Sequence, residues 1–167
     1  MVVVLRAVAP RKAMRQATVA LAAALLAAML AACAASSANL GQPAGSPVRL
    51  GSTVAEARQA LGTSVEPVRD AAPPAELTLA ADAQGVQLFF DKADRVRTVR
   101  LRAPYAAPVM GVRIGDPVER VLSAQGKPYA KATASGQTGY TYHPDSITIL
   151  TYFVGKDERV EAIFLVR

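Results

Sequence analysis

Side chains able to do chemistry are few in this chain of 167 residues. Cys33 is the only cysteine and His143 the only histidine, so a disulfide, a cysteine-based metal site and an imidazole pair are all out of reach. His143 stands before Pro144 and Asp145 in turn-forming sequence, which suits a solvated turn residue. Asp91 with Asp94, and Asp157 with Glu158, read as turn carboxylates, because the glycine and ligand spacing of a calcium loop is missing. No Gly-x-Ser-x-Gly elbow, phosphate loop or dinucleotide fingerprint occurs. Enzymatic activity, a metal, a cofactor and a small-molecule substrate are therefore not expected. Two groups still have chemistry to offer. One is the Cys33 thiol, which can be acylated; the other is the set of guanidinium groups on Arg95, Arg97, Arg100 and Arg102, which can bind anions.

The elements around Cys33 are those of an export signal. Residues 1–32 have a basic start with Arg6, Arg11, Lys12 and Arg15, an apolar run from Ala17 to Leu30, and small residues before the cysteine. That run is shorter than the ~20 apolar residues of a comfortable membrane span. Leu30-Ala31-Ala32-Cys33 resembles the lipobox of bacterial lipoproteins. The resemblance implies that lipoprotein signal peptidase reads Leu30, Ala31 and Ala32, that a diacylglycerol is attached to the Cys33 sulfur, and that residues 1–32 are removed. Ala34 in place of an Asp after the lipidated cysteine implies sorting to the outer membrane, facing the periplasm, in a Gram-negative organism. Met14 is a second possible start that leaves the mature protein unchanged. The alternative is cleavage at an Ala-x-Ala site such as Ala32-Cys33-Ala34, giving a soluble secreted protein with a free thiol, a liability in an oxidising compartment.

The leader holds four of the 19 Lys and Arg and none of the 13 Asp and Glu, so its removal takes the net charge from +6 to +2. The basic balance belongs to export and gives no reason to expect a nucleic-acid partner. Residues 33–46 are expected to be the lipidated cysteine and a flexible tether. From Ala34 to Ser46 the residues are small, polar and uncharged, and cannot bury enough apolar surface to offset the entropy of ordering.

The remainder is internally repetitive. Val48-Arg49-Leu50-Gly51 recurs as Val112-Arg113-Ile114-Gly115, Gly62 as Gly126, Phe89 as Phe153, and Arg95-Val96 as Arg159-Val160, always 64 residues apart. The fold class expected is α+β with two tandem repeats, 47–104 and 105–167, each a short helix packed on a three- to four-stranded antiparallel β-meander. Ser52 and Asp116 are the expected N-caps, with Pro117 at the first helical position and Glu119 completing a variant capping box. Gly51 and Gly115 open the units, and Gly62 and Gly126 stop the helices. Val54, Ala57 and Leu61, and then Val118, Val121 and Leu122, form the apolar stripes. Strands are predicted over 76–81, 86–90 and 95–102, and over 139–142, 147–154 and 159–166, with loops at 63–75 and 127–138.

The last strand of each unit breaks its alternation. A bulge near Arg97 and Thr98, with its counterpart near Glu161 and Ala162, returns Val96, Val99 and Leu101, and likewise Val160, Ile163 and Leu165, to one face. The four arginines then share the other face, as a solvated surface or as a docking stripe for anionic headgroups or an acidic partner. Phe164 and Val166 are outer residues of the second unit, Tyr140 and Tyr142 share one side of a neighbouring strand, and this aromatic, partly apolar outer face either binds a partner or is covered by the protein itself.

Gly115-Asp116-Pro117-Val118-Glu119-Arg120-Val121, running to Gly126-Lys127-Pro128 and then to strands ending in Arg159-Val160 and Ile163, resembles the SmpA/OmlA (BamE-like) lipoprotein domain. The tandem arrangement is also similar to the β-lactamase inhibitor protein fold. These resemblances imply a lipid-anchored binding or scaffolding protein of the bacterial envelope, with another envelope protein as partner. The alternative they imply is an inhibitor-like protein that caps an enzyme with its sheet.

Overall fold

The protein is described by a computed structural model covering residues 40–69 and 76–167. The leader, Cys33, residues 34–39 and the loop prolines Pro73 and Pro74 lie outside the described residues. Helix α1 is Val54–Leu61 and α2 is Val118–Gln125. The strands are β1 (Val68–Arg69), β2 (Leu77–Ala81), β3 (Val86–Phe90), β4 (Val96–Arg102), β5 (Ala130–Ala134), β6 (Gln137–Tyr142), β7 (Ile149–Val154) and β8 (Val160–Val166).

The expectation of two tandem helix-on-meander repeats is overturned. All eight strands belong to one antiparallel sheet in the order β1-β2-β3-β4-β8-β7-β6-β5, and the two short helices add to a single hydrophobic core. The seam that unites the sheet is β4 against β8, where Val99 faces Leu165 and Leu101 faces Ile163, all four fully buried. A meander of short strands leaves apolar edge residues wet, and joining two meanders along their last strands removes both wet edges at once. The 64-residue spacing survives as local geometry within the one sheet. Gly51 N–H donates to the Val96 carbonyl and Gly115 N–H to the Val160 carbonyl, each at 2.7 Å, and the two bridges that tie the helix starts to the sheet, Thr53 to Arg95 and Pro117 to Arg159, share that spacing.

Both bulges are present. Phe89 and Phe90 pair with Thr98 and Val96, which leaves Arg97 as the extra residue of β4; Phe153 and Val154 pair with Ala162 and Val160, which leaves Glu161 as the extra residue of β8. Each bulge resets the phase, so that Val96, Val99 and Leu101, and Val160, Ile163 and Leu165, all reach the core.

The helix starts differ from those predicted. In α1 the N-cap is Thr53 rather than Ser52, whose carbonyl is held by Val96 N–H at 2.8 Å as part of the bridge to β4. Thr53 and Glu56 form a reciprocal capping box, and Glu56 is held below the usual carboxylate range by hydrogen bonds from the Thr53 backbone and side chain. In α2 the cap is Pro117, without a side-chain cap, because the Asp116 carboxylate turns back to accept Arg113 N–H at 2.8 Å. Leu122, expected in the apolar stripe, is exposed, while Val118 and Val121 are buried. Gly62 ends α1 in the left-handed region at φ 58, ψ 33; Gly126 ends α2 at φ 75, ψ −148, a region essentially restricted to glycine.

Three segments read as unstructured hold ordered structure, one of them the loop expected at 63–75, which contains β1 paired with β2. The tether was expected to extend to Ser46, but the chain is docked from Leu40: Gly41, Pro43 and Ser46 are buried, Met110 N–H donates to the Ala44 carbonyl, and Tyr105 hydroxyl donates to the Gly45 carbonyl at 2.5 Å. Gly and Pro let the backbone lie against the protein and exchange hydrogen bonds with it, which composition alone does not reveal. The loop expected at 127–138 contains β5 and a two-residue turn, Ser135 and Gly136, both at positive φ.

Candidate functional site

Helices α1 and α2 contribute Ala57, Leu61, Val118 and Val121 to the core, so they lie on the inner face of the sheet. The outer face carries no helix among the described residues. Side chains alternate across a strand, so register defines its cross-strand rows. One row runs Ala132, Gly139, Phe153, Ala162, Arg102. The next runs Ala130, Thr141, Thr151, Phe164, Arg100, Gln87, Ala80. A third brings together Ile149, Val166, Thr98, Phe89, Thr78 and Val68.

The four arginines do not form one stripe. Arg95, before β4, donates to the Gly51 carbonyl at 3.1 Å, and Arg97, at the bulge, pairs with Glu76. Arg102 pairs with Asp82 at 2.6 Å. Arg100 lies at the seam, its guanidinium carbon 5.4 Å from the centroid of Phe164 and its Nη1 3.5 Å from Gln87 Oε1. Its Nε is buried and has no hydrogen-bond partner. Arg100 and Phe164 are 64 residues apart and face one another directly across the seam, a cation against an aromatic ring at matched positions.

Beyond the seam the surface turns aromatic and small. Phe153 and Phe164 pack edge to face with ring centroids 4.8 Å apart. Next to them a shallow groove of about 240 Å³ is lined by Ala132, Ala134, Gln137, Gly139, Thr141, Thr151 and Phe153. Gly139 sets its floor: a Cβ there would come within 3.3 Å of the Thr151 methyl and 3.5 Å of the Phe153 ring. Thr141 and Thr151 hydroxyls hydrogen-bond across the strands at 3.1 Å, and Gln137 Nε2 donates to Glu161, so the polar rim is internally satisfied. The groove therefore presents an apolar surface held rigid by the sheet. Val166 lies on the third outer row, half-buried opposite Ile149 and Thr98.

The remaining candidates are structural. His143 is exposed and packs edge to face on Tyr129, with centroids 4.6 Å apart. Asp91 accepts Ala93 and Arg95 backbone N–H groups, and the Arg95 bond chiefly lowers its pKa. Tyr152, fully buried on the inner face, donates to the Val109 carbonyl at 3.0 Å, and burial pushes its pKa up. Among the described residues no three His, Cys, Asp or Glu side chains cluster to hold a metal. Sequence reasoning reached Phe164 and Val166 but missed Phe153, Gly139 and Ala132, and Tyr140 and Tyr142, expected beside Phe164 on an aromatic outer face, are instead buried in the core. A glycine inside a strand marks close approach and was the available signal; β5, Ala-Lys-Ala-Thr-Ala, alternates with period two, but alanine and lysine are depleted in strands and all five residues are exposed, which made its signal weak.

No protein-family model and no curated protein matches the chain. Two solved structures share the fold. A DUF4309 family protein from Bacillus subtilis superimposes with a TM-score of 0.50 at 15% identity, covering 69% of this chain and 78% of that one. An extracellular protein containing an SCP domain, from Bacillus anthracis, superimposes with a TM-score of 0.52 at 11% identity over 70% of this chain, which spans only 43% of that protein. No described helix is long and apolar enough to cross a membrane. An extracellular neighbour and the lack of such a helix among the described residues are both compatible with an exported protein.

Proposed function

We propose that this is an exported, lipid-anchored binding protein of the bacterial envelope, without catalytic activity, whose outer sheet face docks a segment of another envelope protein. The carrying observation is the aromatic and small-residue outer surface of β5 to β8, covered by no helix among the described residues, which includes a groove of about 240 Å³ beside Phe153. A groove of that size takes one apolar side chain, and water held against such a surface is released on binding. Arg100, stacked on Phe164 at the rim, supplies positive charge for an acidic neighbour of that anchor. Arg97 and Arg102 are neutralised by Glu76 and Asp82, which concentrates the electrostatic contribution at Arg100. The leader and lipobox support the placement in the envelope, with Cys33 as the anchor.

The test is crosslinking in intact cells from a photoreactive side chain at Thr151, followed by identification of the adduct. The expected adduct is an envelope protein, and its yield falls in Phe153→Ala and in Phe164→Ala with little dependence on salt, and in Arg100→Glu with strong dependence. A soluble enzyme as the adduct favours the inhibitor reading. No adduct from any outer-face position contradicts the binding face. Cys33→Ala is expected to leave soluble protein or uncleaved precursor; mature-length protein that still fractionates with membranes contradicts the anchor.

A further inference from the structure

The docked N-terminal segment fixes where the chain leaves the domain. Gly41 N–H donates to Asp145 Oδ2 at 3.2 Å, and the same carboxylate accepts Ile147 N–H at 2.9 Å and Thr148 N–H at 2.8 Å. Asp145 thereby fastens the exit to the loop between β6 and β7. Gly41 also sits against Ile147, and Arg49 Nε donates to the Leu40 carbonyl at 3.1 Å. The exit is thus at the end of the sheet where β6 ends and β7 begins. Within the half built from β5 to β8 that end is the more apolar: Tyr129 is 78% exposed, Ile147 and Ile149 39% and Leu40 36%, while in the other half the same end carries the exposed turn residues Lys92, Ala93 and Asp94. The other end of the second half carries the turns at 135–136 and 155–159, with Ser135, Lys156, Asp157 and Glu158 exposed.

We infer that this corner of the domain, Leu40, Tyr129, Ile147 and Ile149 with Arg49, seats on the surface of the phospholipid bilayer. The inference rests on the reading of Cys33 as the lipid anchor. From Cys33 to Leu40 the chain reaches at most ~25 Å when fully extended, about the ~20 Å length of β6. A span of that length allows either end of the sheet to face the membrane, and the exposed side chains decide between them. Tyrosine and aliphatic residues partition into the headgroup boundary while the arginine stem lies along it with its charge at the phosphates. The seat leaves the outer face standing upright, with its groove open to a partner alongside.

The experiment uses the full chain, made in bacteria, purified in its processed form and reconstituted into vesicles of phosphatidylethanolamine and phosphatidylglycerol containing a headgroup spin-labelled lipid. Cys33 is the only native cysteine, so once acylated it leaves an introduced thiol as the single labelling position. A fluorophore at Ser146→Cys or Lys127→Cys is expected to be quenched by the spin label and one at Lys156→Cys is not. The quenching at Ser146→Cys is lost when Tyr129→Asp and Ile147→Asp are added, two exposed substitutions that leave the core intact. Equal quenching at all three positions, stronger quenching at Lys156→Cys, or full retention in the Asp variant overturns the seat while the anchor stands. A labelled, unacylated Cys33 overturns the anchor, and the seat with it.

Discussion

The two halves of the outer face share a backbone plan and differ in how their side chains are satisfied. In the half built from β1 to β4, Arg97 meets Glu76, Arg102 meets Asp82, and Arg100 reaches Gln87. In the half built from β5 to β8, Phe164 stands where Arg100 does and Phe153 where Phe89 does, and a groove lies beside Phe153 among Gly139 and Ala132. Gln87 and Thr151 hold positions 64 residues apart, facing Arg100 and Phe164 across the register. Arg97 and Arg102, already paired, gain little from a partner, since exposed ion pairs contribute only ~0–1 kcal/mol and would have to be desolvated to bind; Arg100, at the seam, has no ionic partner. An aromatic surface with an open groove has no such internal substitute.

If the two halves share one core across the β4–β8 seam, truncating either side should damage both. Leu101→Ala and Ile163→Ala are each expected to cost about 2–5 kcal/mol, with one unfolding transition followed by far- and near-ultraviolet circular dichroism. Two separated transitions would mean that the halves fold independently and that the seam is only a contact.

The helix stops are a smaller contrast between the halves. No atom lies within 4 Å of a Cβ built at Gly62 or Gly126, so the penalty at either is backbone conformation alone. Gly126→Ala is expected to cost of the order of 1–3 kcal/mol, more than Gly62→Ala at roughly 1–2 kcal/mol. The reverse order in chemical denaturation would show that α2 ends differently. At the helix starts, Thr53→Ala should cost about 1 kcal/mol while Ser52→Ala stays within about 0.5 kcal/mol. Equal losses would restore Ser52 as a cap.

The smallest effects are at charged surface groups. Arg102→Ala should change stability by less than about 1 kcal/mol. Asp145 is pushed up by burial but pulled further down by hydrogen bonds from Ile147, Thr148 and Gly41, so its folded pKa lies below its unfolded one. Its contribution is then fully present above the unfolded value of ~3.9 and is lost as pH falls through the folded value. Asp145→Asn should remove that part of the acid limb; an unchanged profile of stability against pH would place the stabilising bonds elsewhere.

Much of the sheet was legible because burial imposes period two: β2 and β3 alternate buried and half-buried residues, and the bulges announced themselves as a break in phase before Val99 and Ile163. How the strands assembled was not legible. The pairing of β4 with β8 is a contact between segments 64 residues apart, and nothing local in either strand distinguishes a partner from an edge. The caps were misplaced by one residue each for a related reason, since Ser52 and Asp116 are drawn into bridges to β4 and β8 that local sequence does not show. At the candidate site Phe164 was visible as an outer residue, whereas the groove needed β5, a strand of exposed small residues that only its pairing with β6 defines.

The account turns on the claim that the aromatic half of the outer face, rather than its ion-paired half, meets the partner. Photoreactive side chains at Gln87 and Thr151, introduced one at a time into the full chain in intact cells, compare the two halves at matched positions on one sheet. The expected result is a specific adduct from Thr151 and little or none from Gln87, with the Thr151 adduct diminished by Phe153→Ala. A dominant adduct from Gln87, or equal yields from both positions, would contradict it.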